Sequence, residues 1–163
     1  MRLWRVSRHA SLSGEGGLLA AGRWHSRGRR VVYTGDNPAL AVLEVLVHLE
    51  IDASDYPTGY LLAEIQAPDA ELQNLTSRPL APDWPQRDAE TQALGDAWLA
   101  AGRSLLTRVP SAVVPRGWNV LINPMHPAMR RVRIVTTTAD PFDRRLFGGI
   151  IRAVAAPKRR GRS

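Results

Sequence analysis

Four short stretches of the chain carry side chains whose chemistry is complementary. They supply a cation, an aromatic ring, a carboxylate and a hydroxyl, from Arg23, Tyr33, Glu44 and Ser111 in turn. A guanidinium pairs with phosphate through parallel hydrogen bonds, and an aromatic face stacks on a flat, electron-poor ring. The set therefore suits a ligand that carries both phosphate and a cationic ring, and NAD⁺ is a ligand of that kind.

The carboxylate is predicted to lie in the middle of a helix. Glu44 stands between Leu43 and Val45, and His48 follows four residues later on the same helical face. One interpretation is a carboxylate at the wall of a pocket, beside a bond that is to be cleaved. The alternative is a partly exposed helical Glu that pairs with a His and contributes little.

Two arginines and a tyrosine are candidates for holding such a ligand. Arg23 follows a Gly-rich loop, where the backbone can approach a bulky ligand closely. It would either grip a diphosphate or stack on Trp24 as a surface residue. Arg5 is a second candidate, on the first predicted strand. Tyr33 ends the next strand, and its ring either stacks on the ligand or fills the core.

The other candidates are predicted to lie in loops or at strand ends. Ser111 follows Pro110 at a predicted strand start, where a Ser is often only a cap or turn residue. Asn123 and His126 each precede a Pro, so their loop is rigid and forms either a pocket floor or simply a turn. The sequence contains no Gly-x-Ser-x-Gly elbow, no P-loop and no dinucleotide-binding Gly-x-Gly-x-x-Gly after a strand.

Composition excludes several classes of site. The 163 residues include no Cys, so disulfides, thiolate metal sites and a Cys nucleophile are excluded. The four His are scattered without ligand spacing, and we expect no metal. No run approaches the roughly 20 apolar residues of a membrane span, and the N-terminus lacks the apolar region of a signal peptide. We therefore expect a cytoplasmic protein with no membrane partner.

The net charge of +7 is unevenly distributed. Residues 1–30 carry seven Arg and one Glu, residues 31–77 carry eight acidic and no Lys or Arg residues, and residues 78–163 carry fifteen basic and six acidic residues. The positive charge is Arg throughout, apart from Lys158. Arg suits phosphate binding, but a coding bias toward Arg explains the same composition equally well.

The hydrophobic patterns predict an α+β fold. Strands outnumber helices and do not alternate regularly with them. The predicted strands are 2–6, 31–34, 60–66, 112–114, 118–122 and 131–135. We expect one domain over residues 1–156, followed by a basic and mobile tail over residues 157–163.

Two helices are predicted. The first begins at Pro38, with Asp36 or Asn37 as its cap, and runs to about Leu49. Its core-facing residues by helical spacing are Leu40, Leu43 and Val47. The second covers residues 88–101, with Asp88 as a possible cap and Gly102 just past its end. Its predicted apolar stripe is Leu94, Ala97, Trp98 and Ala101.

Taken together, these stretches resemble the RES-domain family, the toxins of Xre–RES toxin–antitoxin pairs. The resemblance runs from Trp4-Arg5 to Val135. It is carried by Gly22-Arg23-Trp24 with Gly28 and Tyr33, by Ala41 to Glu44, by Val109 to Ser111 and by Asn119 to Pro127. The Arg, Glu and Ser that name the family fall on Arg23, Glu44 and Ser111. One departure is His25, where the family usually has Asn.

The resemblance implies an ADP-ribosyltransferase-like fold, with a bent mixed β-sheet around a central NAD⁺ cleft. It implies a toxin that consumes NAD⁺ and needs no metal. Some members pass ADP-ribose to water or phosphate, and the ParT-like branch passes it to a protein such as phosphoribosyl pyrophosphate synthetase. An Xre-family antitoxin would cover the cleft, and nucleic acid would be met only through that partner.

The same resemblance implies roles for the candidate residues. Glu44 would stabilise the oxocarbenium character that develops on the ribose, and Ser111 would bind the ribose or position Glu44. Arg23 would anchor the diphosphate and Tyr33 would stack on nicotinamide. Further ligand contacts would come from Arg5, His48, Asn123 and His126.

A rival class is a basic nucleic-acid-binding module without enzymatic activity. The basic ends of the chain favour it, and the tail from Lys158 to Arg162 most of all. The acidic middle argues against it, as does the lack of a helix-turn-helix, zinc-finger or aromatic-basic RNA pattern. A catalytically inactive scaffold is a third option.

Overall fold

A computed structural model describes residues 1–49, 56–76 and 79–147, and within these ranges seven strands form one mixed sheet. The strands are β1 (Arg2–Ser7), β2 (Val32–Gly35), β3 (Leu61–Gln66), β4 (Leu72–Asn74), β5 (Leu106–Pro110), β6 (Trp118–Ile122) and β7 (Arg133–Ala139). Their order in the sheet is β4-β5-β6-β2-β1-β3-β7. The pairing is antiparallel except between β4 and β5, which run parallel.

Helices and short 3-10 turns connect the strands. The helices are α1 (Gly16–Leu19), α2 (Pro38–Leu46) and α3 (Asp88–Ala101), and the 3-10 turns are Asp69–Glu71, Trp84–Gln86 and Pro127–Arg131. The predicted α+β class is confirmed. No helix in the described ranges has the length and apolar character that a bilayer crossing requires.

The sheet is split between β1 and β2. β1 pairs with β3 over six residues, and β2 pairs with β6 over four. In the described residues, β1 and β2 share a single register pair, Trp4 with Gly35. Two well-paired halves therefore meet at one point, and the strands leave room between them where a continuous ladder would have closed the sheet.

Helix α2 begins as predicted but is rotated relative to the predicted core face. Asn37 is the cap, because its side chain accepts a hydrogen bond from the Leu40 amide at 2.8 Å. The helix ends at Leu46, earlier than predicted. Leu40 is buried, but Leu43 and Val47 are 39% and 55% exposed, so the prediction that they face the core is wrong. The inner face instead carries Leu40 and Ala41.

Helix α3 has the predicted bounds and a packing face that matches the prediction only in part. Gly102 ends it in the left-handed region, with φ of 57°. Asp88 makes no capping hydrogen bond and is the first helical residue, so its predicted capping role is wrong. Of the predicted apolar stripe, Trp98 packs against a buried cluster, but Ala97 and Ala101 are exposed. The buried residues of the helix, Thr91 and Gly95, were not predicted. The contact surface uses a small and a polar residue, which a hydrophobic pattern does not reveal.

The strand predictions are confirmed over most of the sheet, but strands β4 and β5 were not predicted. The predicted strand at 112–114 is wrong, because β5 lies earlier, at Leu106–Pro110, and residues 111–117 form a turn. In that turn the Ser111 hydroxyl accepts hydrogen bonds from the amides of Val113 and Val114, which removes them from any strand ladder. The last strand starts at Arg133 and is longer than predicted. The predicted tail, 157–163, lies outside the described residues.

We expect Gly95→Ala to destabilise the fold. A Cβ on Gly95 would lie 1.7 Å from the carbonyl oxygen of Trp24, so helix α3 would have to move away from the buried Trp24 backbone. Overpacking of this kind costs about 1–3 kcal/mol. Urea denaturation would measure the loss in the free energy of unfolding.

The matched control is Gly16→Ala, where a new Cβ meets nothing within 4 Å. An added methyl group in open helical space is neutral or stabilises by up to about 1 kcal/mol. Equal unfolding free energies for both variants would contradict the close packing of α3 on Trp24.

Candidate active site

A cavity of about 860 Å³ opens at the split between β1 and β2. Pockets that hold small molecules commonly span roughly 300–1,000 Å³. Of the residues predicted from the sequence, five line this cavity: Arg5, Arg23, Tyr33, Glu44 and His48. Helix α2 contributes Glu44 and His48, and the N-terminal part of α3 contributes Asp88 and Gln92. The cavity is therefore bounded by the two strands and the two longer helices.

Glu44 is held by two short hydrogen bonds. Ser111 Oγ and Asn119 Nδ2 both lie 2.6 Å from Glu44 Oε1. The Ser111 hydroxyl already accepts two backbone amide hydrogens, at 3.0 and 2.9 Å, so its one proton is directed to Glu44. Two donors on one oxygen fix the orientation of the Glu44 side chain.

The second oxygen of Glu44 is left for other contacts. In the part of the chain that the structure describes, no side chain or backbone amide donates to Oε2. Ser111 and Asn119 are themselves buried, so the carboxylate is fixed from the protein side. Oε2 is therefore the atom that can meet a ligand.

Arg23 lies at the corner of a tight turn from Gly22 to His25. The Gly22 amide donates to the His25 carbonyl at 3.0 Å, which closes the turn with Arg23 and Trp24 at its corner. Trp24 is buried in an apolar cluster and anchors the turn to the sheet. A Cβ at Gly22 would lie 2.7 Å from the His25 ring and 2.8 Å from the Tyr33 hydroxyl. Only Gly permits this approach.

His25 and Tyr33 fix the turn on the side of the sheet. His25 Nε2 lies 3.2 Å from the Ala20 carbonyl, which can only accept, so Nε2 carries the hydrogen. His25 Nδ1 then accepts from the Tyr33 hydroxyl at 2.8 Å, and that hydroxyl accepts from the Trp24 amide at 3.0 Å. Burial lowers the pKa of His25 and raises the pKa of Tyr33. Both groups are therefore uncharged in this network.

The Arg23 guanidinium is fixed through one of its nitrogens. Nη1 donates to the Pro85 carbonyl at 2.6 Å and to Asp88 Oδ1 at 2.7 Å. The side chain is half-buried. Nε and Nη2 have no hydrogen-bond partner among the described residues, and one N–H of each forms a fork of the kind that pairs with phosphate.

Arg5 occupies the split between the strands. Its Nη1 donates to the backbone carbonyl of Tyr33 at 3.2 Å. Nε is buried without a partner among the described residues. Burial lowers the pKa of Arg5, but a guanidinium remains charged at any physiological pH. Arg5 thus places a positive charge at the cavity, beside the backbone carbonyl of Tyr33.

The structure places Asn123 and His126 away from this cavity. Neither is among the described residues that line it. The Asn123 side chain accepts from the Met125 amide at 3.0 Å, and His126 Nδ1 accepts from the Ala128 amide at 3.2 Å. Both side chains organise their own loop. His48 is at the cavity, on an exposed position of its helix.

Among the cavity residues that the sequence analysis did not name as site candidates are Asp88, Gln92 and Asn119. Asn119 had a detectable signal, because it is the polar residue in the otherwise apolar strand β6 and faces Gly35 across the ladder. Gly35 has no side chain, so the Asn119 amide can reach over β2. Asp88 and Gln92 had no such signal, because the turn that their helix contacts is far away from it in the sequence.

In the ranges described, no group of three or more His, Cys, Asp or Glu is arranged to hold a metal ion.

The chain is similar to known proteins over most of its length. The family model described as "RES domain" matches residues 2–145. The chain is 46% identical over 147 residues to "Toxin Res" of Pseudomonas putida, which covers 90% of this chain and 100% of that protein. It is 33% identical over 155 residues to "Prs ADP-ribosylating toxin" of Sphingobium sp., covering 88% of this chain and 95% of that protein.

A solved structure has the same fold. The crystal structure of the M. tuberculosis MbcT–MbcA toxin–antitoxin complex contains a chain that matches with a TM-score of 0.66 and 20% identity, over 93% of this chain and 88% of that one. At this identity the match supports the architecture alone. The family model over residues 2–145 and the full-length similarity to Toxin Res show that the chain belongs to the RES-domain family.

Proposed function

We propose that the chain is the toxin of a toxin–antitoxin pair, and that it cleaves the bond between nicotinamide and ribose in NAD⁺ and passes ADP-ribose to an acceptor. The observation that supports this most is the Glu44 side chain, held by Ser111 and Asn119, in a cavity that it shares with Arg23 and Tyr33. The name "Prs ADP-ribosylating toxin" of one relative supports the same chemistry.

The chemistry follows from the charge on the substrate. Cleavage breaks the bond between C1′ of the ribose and the ring nitrogen, and the electron pair leaves with the ring, which becomes neutral nicotinamide. The ribose gains oxocarbenium character, as in glycoside hydrolysis. Glu44 Oε2 is available to stabilise this positive charge, while Oε1 remains bound to Ser111 and Asn119. Such a contact speeds the reaction because it is stronger in the transition state than in the ground state.

The remaining cavity residues would hold the substrate. The Nε and Nη2 edge of Arg23 suits the diphosphate, and a fixed diphosphate keeps the reacting carbon in place. The ring of Tyr33 lines the same cavity and suits the nicotinamide ring. Arg5 and His48 are further contacts at the cavity wall, and Ser111 acts through Glu44.

The acceptor completes the reaction by forming a bond to C1′ and losing a proton. Water or phosphate would release free ADP-ribose or its phosphate. A protein nucleophile would retain it, and phosphoribosyl pyrophosphate synthetase is the candidate suggested by the relative's name. An Xre-family antitoxin that covers the cavity would keep the toxin inactive in the cell, with nucleic acid contacted only by that partner.

A turnover assay tests the proposal. The antitoxin-free chain is incubated with NAD⁺ labelled in its adenylate part, with and without cell lysate. We expect nicotinamide release, with the label on free ADP-ribose or ADP-ribose phosphate for hydrolysis or phosphorolysis, and on a protein band for transfer. NAD⁺ left intact under both conditions, together with salt-sensitive binding to random DNA, would favour the nucleic-acid-binding alternative.

Glu44→Gln should lower nicotinamide release by about 10²-fold or more, a loss typical of removing one key electrostatic group. The amide oxygen of Gln can still accept from Ser111 and Asn119, so the fold should persist, and circular dichroism and thermal unfolding would check this. Glu15→Gln is the matched control, because Glu15 is a surface residue that pairs with Arg30. Equal nicotinamide release from Glu44→Gln and wild type would exclude this role for Glu44.

Arg23→Ala should mainly weaken substrate binding. A contact to the diphosphate exists in the ground state and in the transition state alike, so its loss raises KM more than it lowers kcat. Steady-state kinetics with NAD⁺ and calorimetric titration with ADP-ribose would measure both effects. An unchanged Kd for ADP-ribose would show that the diphosphate binds elsewhere.

A further inference from the structure

One face of α3 contacts the turn that carries Arg23. Asp88, Gln92 and Asp96 are spaced four residues apart, so they share one helical face. Asp88 Oδ1 accepts from Arg23 at 2.7 Å, Gln92 Nε2 donates to the Gly22 carbonyl at 3.0 Å, and Asp96 Oδ1 accepts from the Ser26 amide at 3.0 Å. We call these three residues the polar stripe of α3.

The polar stripe fixes the turn along its whole length. Its contacts reach the first residue of the turn, the side chain at its corner and the residue that follows it. Between them, Gly95 brings the helix against the Trp24 carbonyl, so the turn cannot rotate toward the helix. The position of the turn is therefore set by α3 on one side and by His25 with Tyr33 on the other.

The contact between Arg23 and Asp88 contributes little to stability. Asp88 is 64% exposed and Arg23 is 30% exposed. Ion pairs at such accessible positions are screened by solvent and contribute little to the stability of the fold. The pair instead determines the orientation of the guanidinium. Nη1 of Arg23 donates to both Asp88 and the Pro85 carbonyl, and these two acceptors together define the plane of the guanidinium.

We propose that Asp88 is a positioning residue, which orients Arg23 so that its Nε and Nη2 edge faces the diphosphate of the substrate. Gln92 and Asp96 assist by holding the turn. The proposal rests on the proposed function, since it assumes a ligand with a diphosphate. Asp88 itself carries a negative charge at the cavity, so its benefit comes from orienting Arg23 in advance and not from attraction to the ligand.

Two variants of Asp88 separate the hydrogen bond from the charge. Asp88→Ala removes both, so Arg23 loses its orientation. We expect KM for NAD⁺ to rise about three- to tenfold, while kcat stays within about twofold of the wild-type value. This is the effect expected when one long side chain has to be ordered on binding. Asp88→Asn keeps an oxygen that accepts from Arg23, so its KM should stay near or below that of wild type. Glu90→Ala, an equal loss of charge on the same helix from a residue paired with Arg87, should leave KM unchanged.

A double-mutant cycle tests whether Asp88 acts through Arg23. In the Arg23→Ala background, Asp88→Ala should add no further increase in KM, because the residue that it orients is gone. The proposal is overturned if the two substitutions add independently, if Asp88→Ala leaves KM unchanged, or if Asp88→Ala and Asp88→Asn both tighten binding.

Affinity for ADP-ribose separates this proposal from the proposed function. ADP-ribose has the diphosphate but no nicotinamide, so its Kd reports on Arg23 without any turnover. If the wild-type chain binds ADP-ribose but releases no nicotinamide from NAD⁺, the cleavage chemistry fails, and the Kd values of the same variants still decide the role of Asp88. If wild type binds neither molecule, both proposals are refuted.

Discussion

The two hydrogen bonds onto Glu44 Oε1 are the constraint on which the rest of the cavity depends. They join helix α2 to the end of β5, through Ser111, and to β6, through Asn119. A carboxylate that is withdrawn from water needs such donors, and a mid-helix residue that receives them fixes the rotation of its helix. This explains why Leu43 is turned outward, although helical spacing alone would place it in the core, whereas Val47 is exposed at the cavity itself.

Arg23 is positioned by a different kind of structure. Glu44 is held by buried donors and a regular helix, whereas Arg23 lies at the corner of a turn that depends on contacts from both sides. On one side the His25–Tyr33 network needs both rings uncharged, and burial shifts their pKa values in the directions that keep them so. On the other side the contact is made by α3. A shift of either neighbour would therefore move the cation while leaving the carboxylate in place.

The sequence was sufficient to identify those site residues whose chemistry is unusual in their local setting. Arg23 in a Gly-rich loop and Glu44 on an apolar helix could be recognised, and the structure brings both to one cavity with Tyr33. What it could not reveal were contacts made by ordinary residues across long sequence distances. Gly95 carries no hydrophobic signal, yet it determines how α3 packs. Strand β5 was missed because Thr107 and Arg108 interrupt its apolar pattern.

The split between β1 and β2 shows how a cavity and a continuous sheet compete for the same backbone. Closing the ladder beyond Trp4 and Gly35 would satisfy more backbone groups but would remove the space between the strands. Arg5 resolves part of this conflict, because its guanidinium donates to the Tyr33 carbonyl, in the gap where β1 and β2 are not paired. Its first task is thus to stabilise the open sheet. Arg5 and Arg23 both donate through Nη1, but the Nε of Arg5 is buried, whereas the Arg23 side chain is 30% exposed, so Arg23 is the cation that a phosphate can reach more easily.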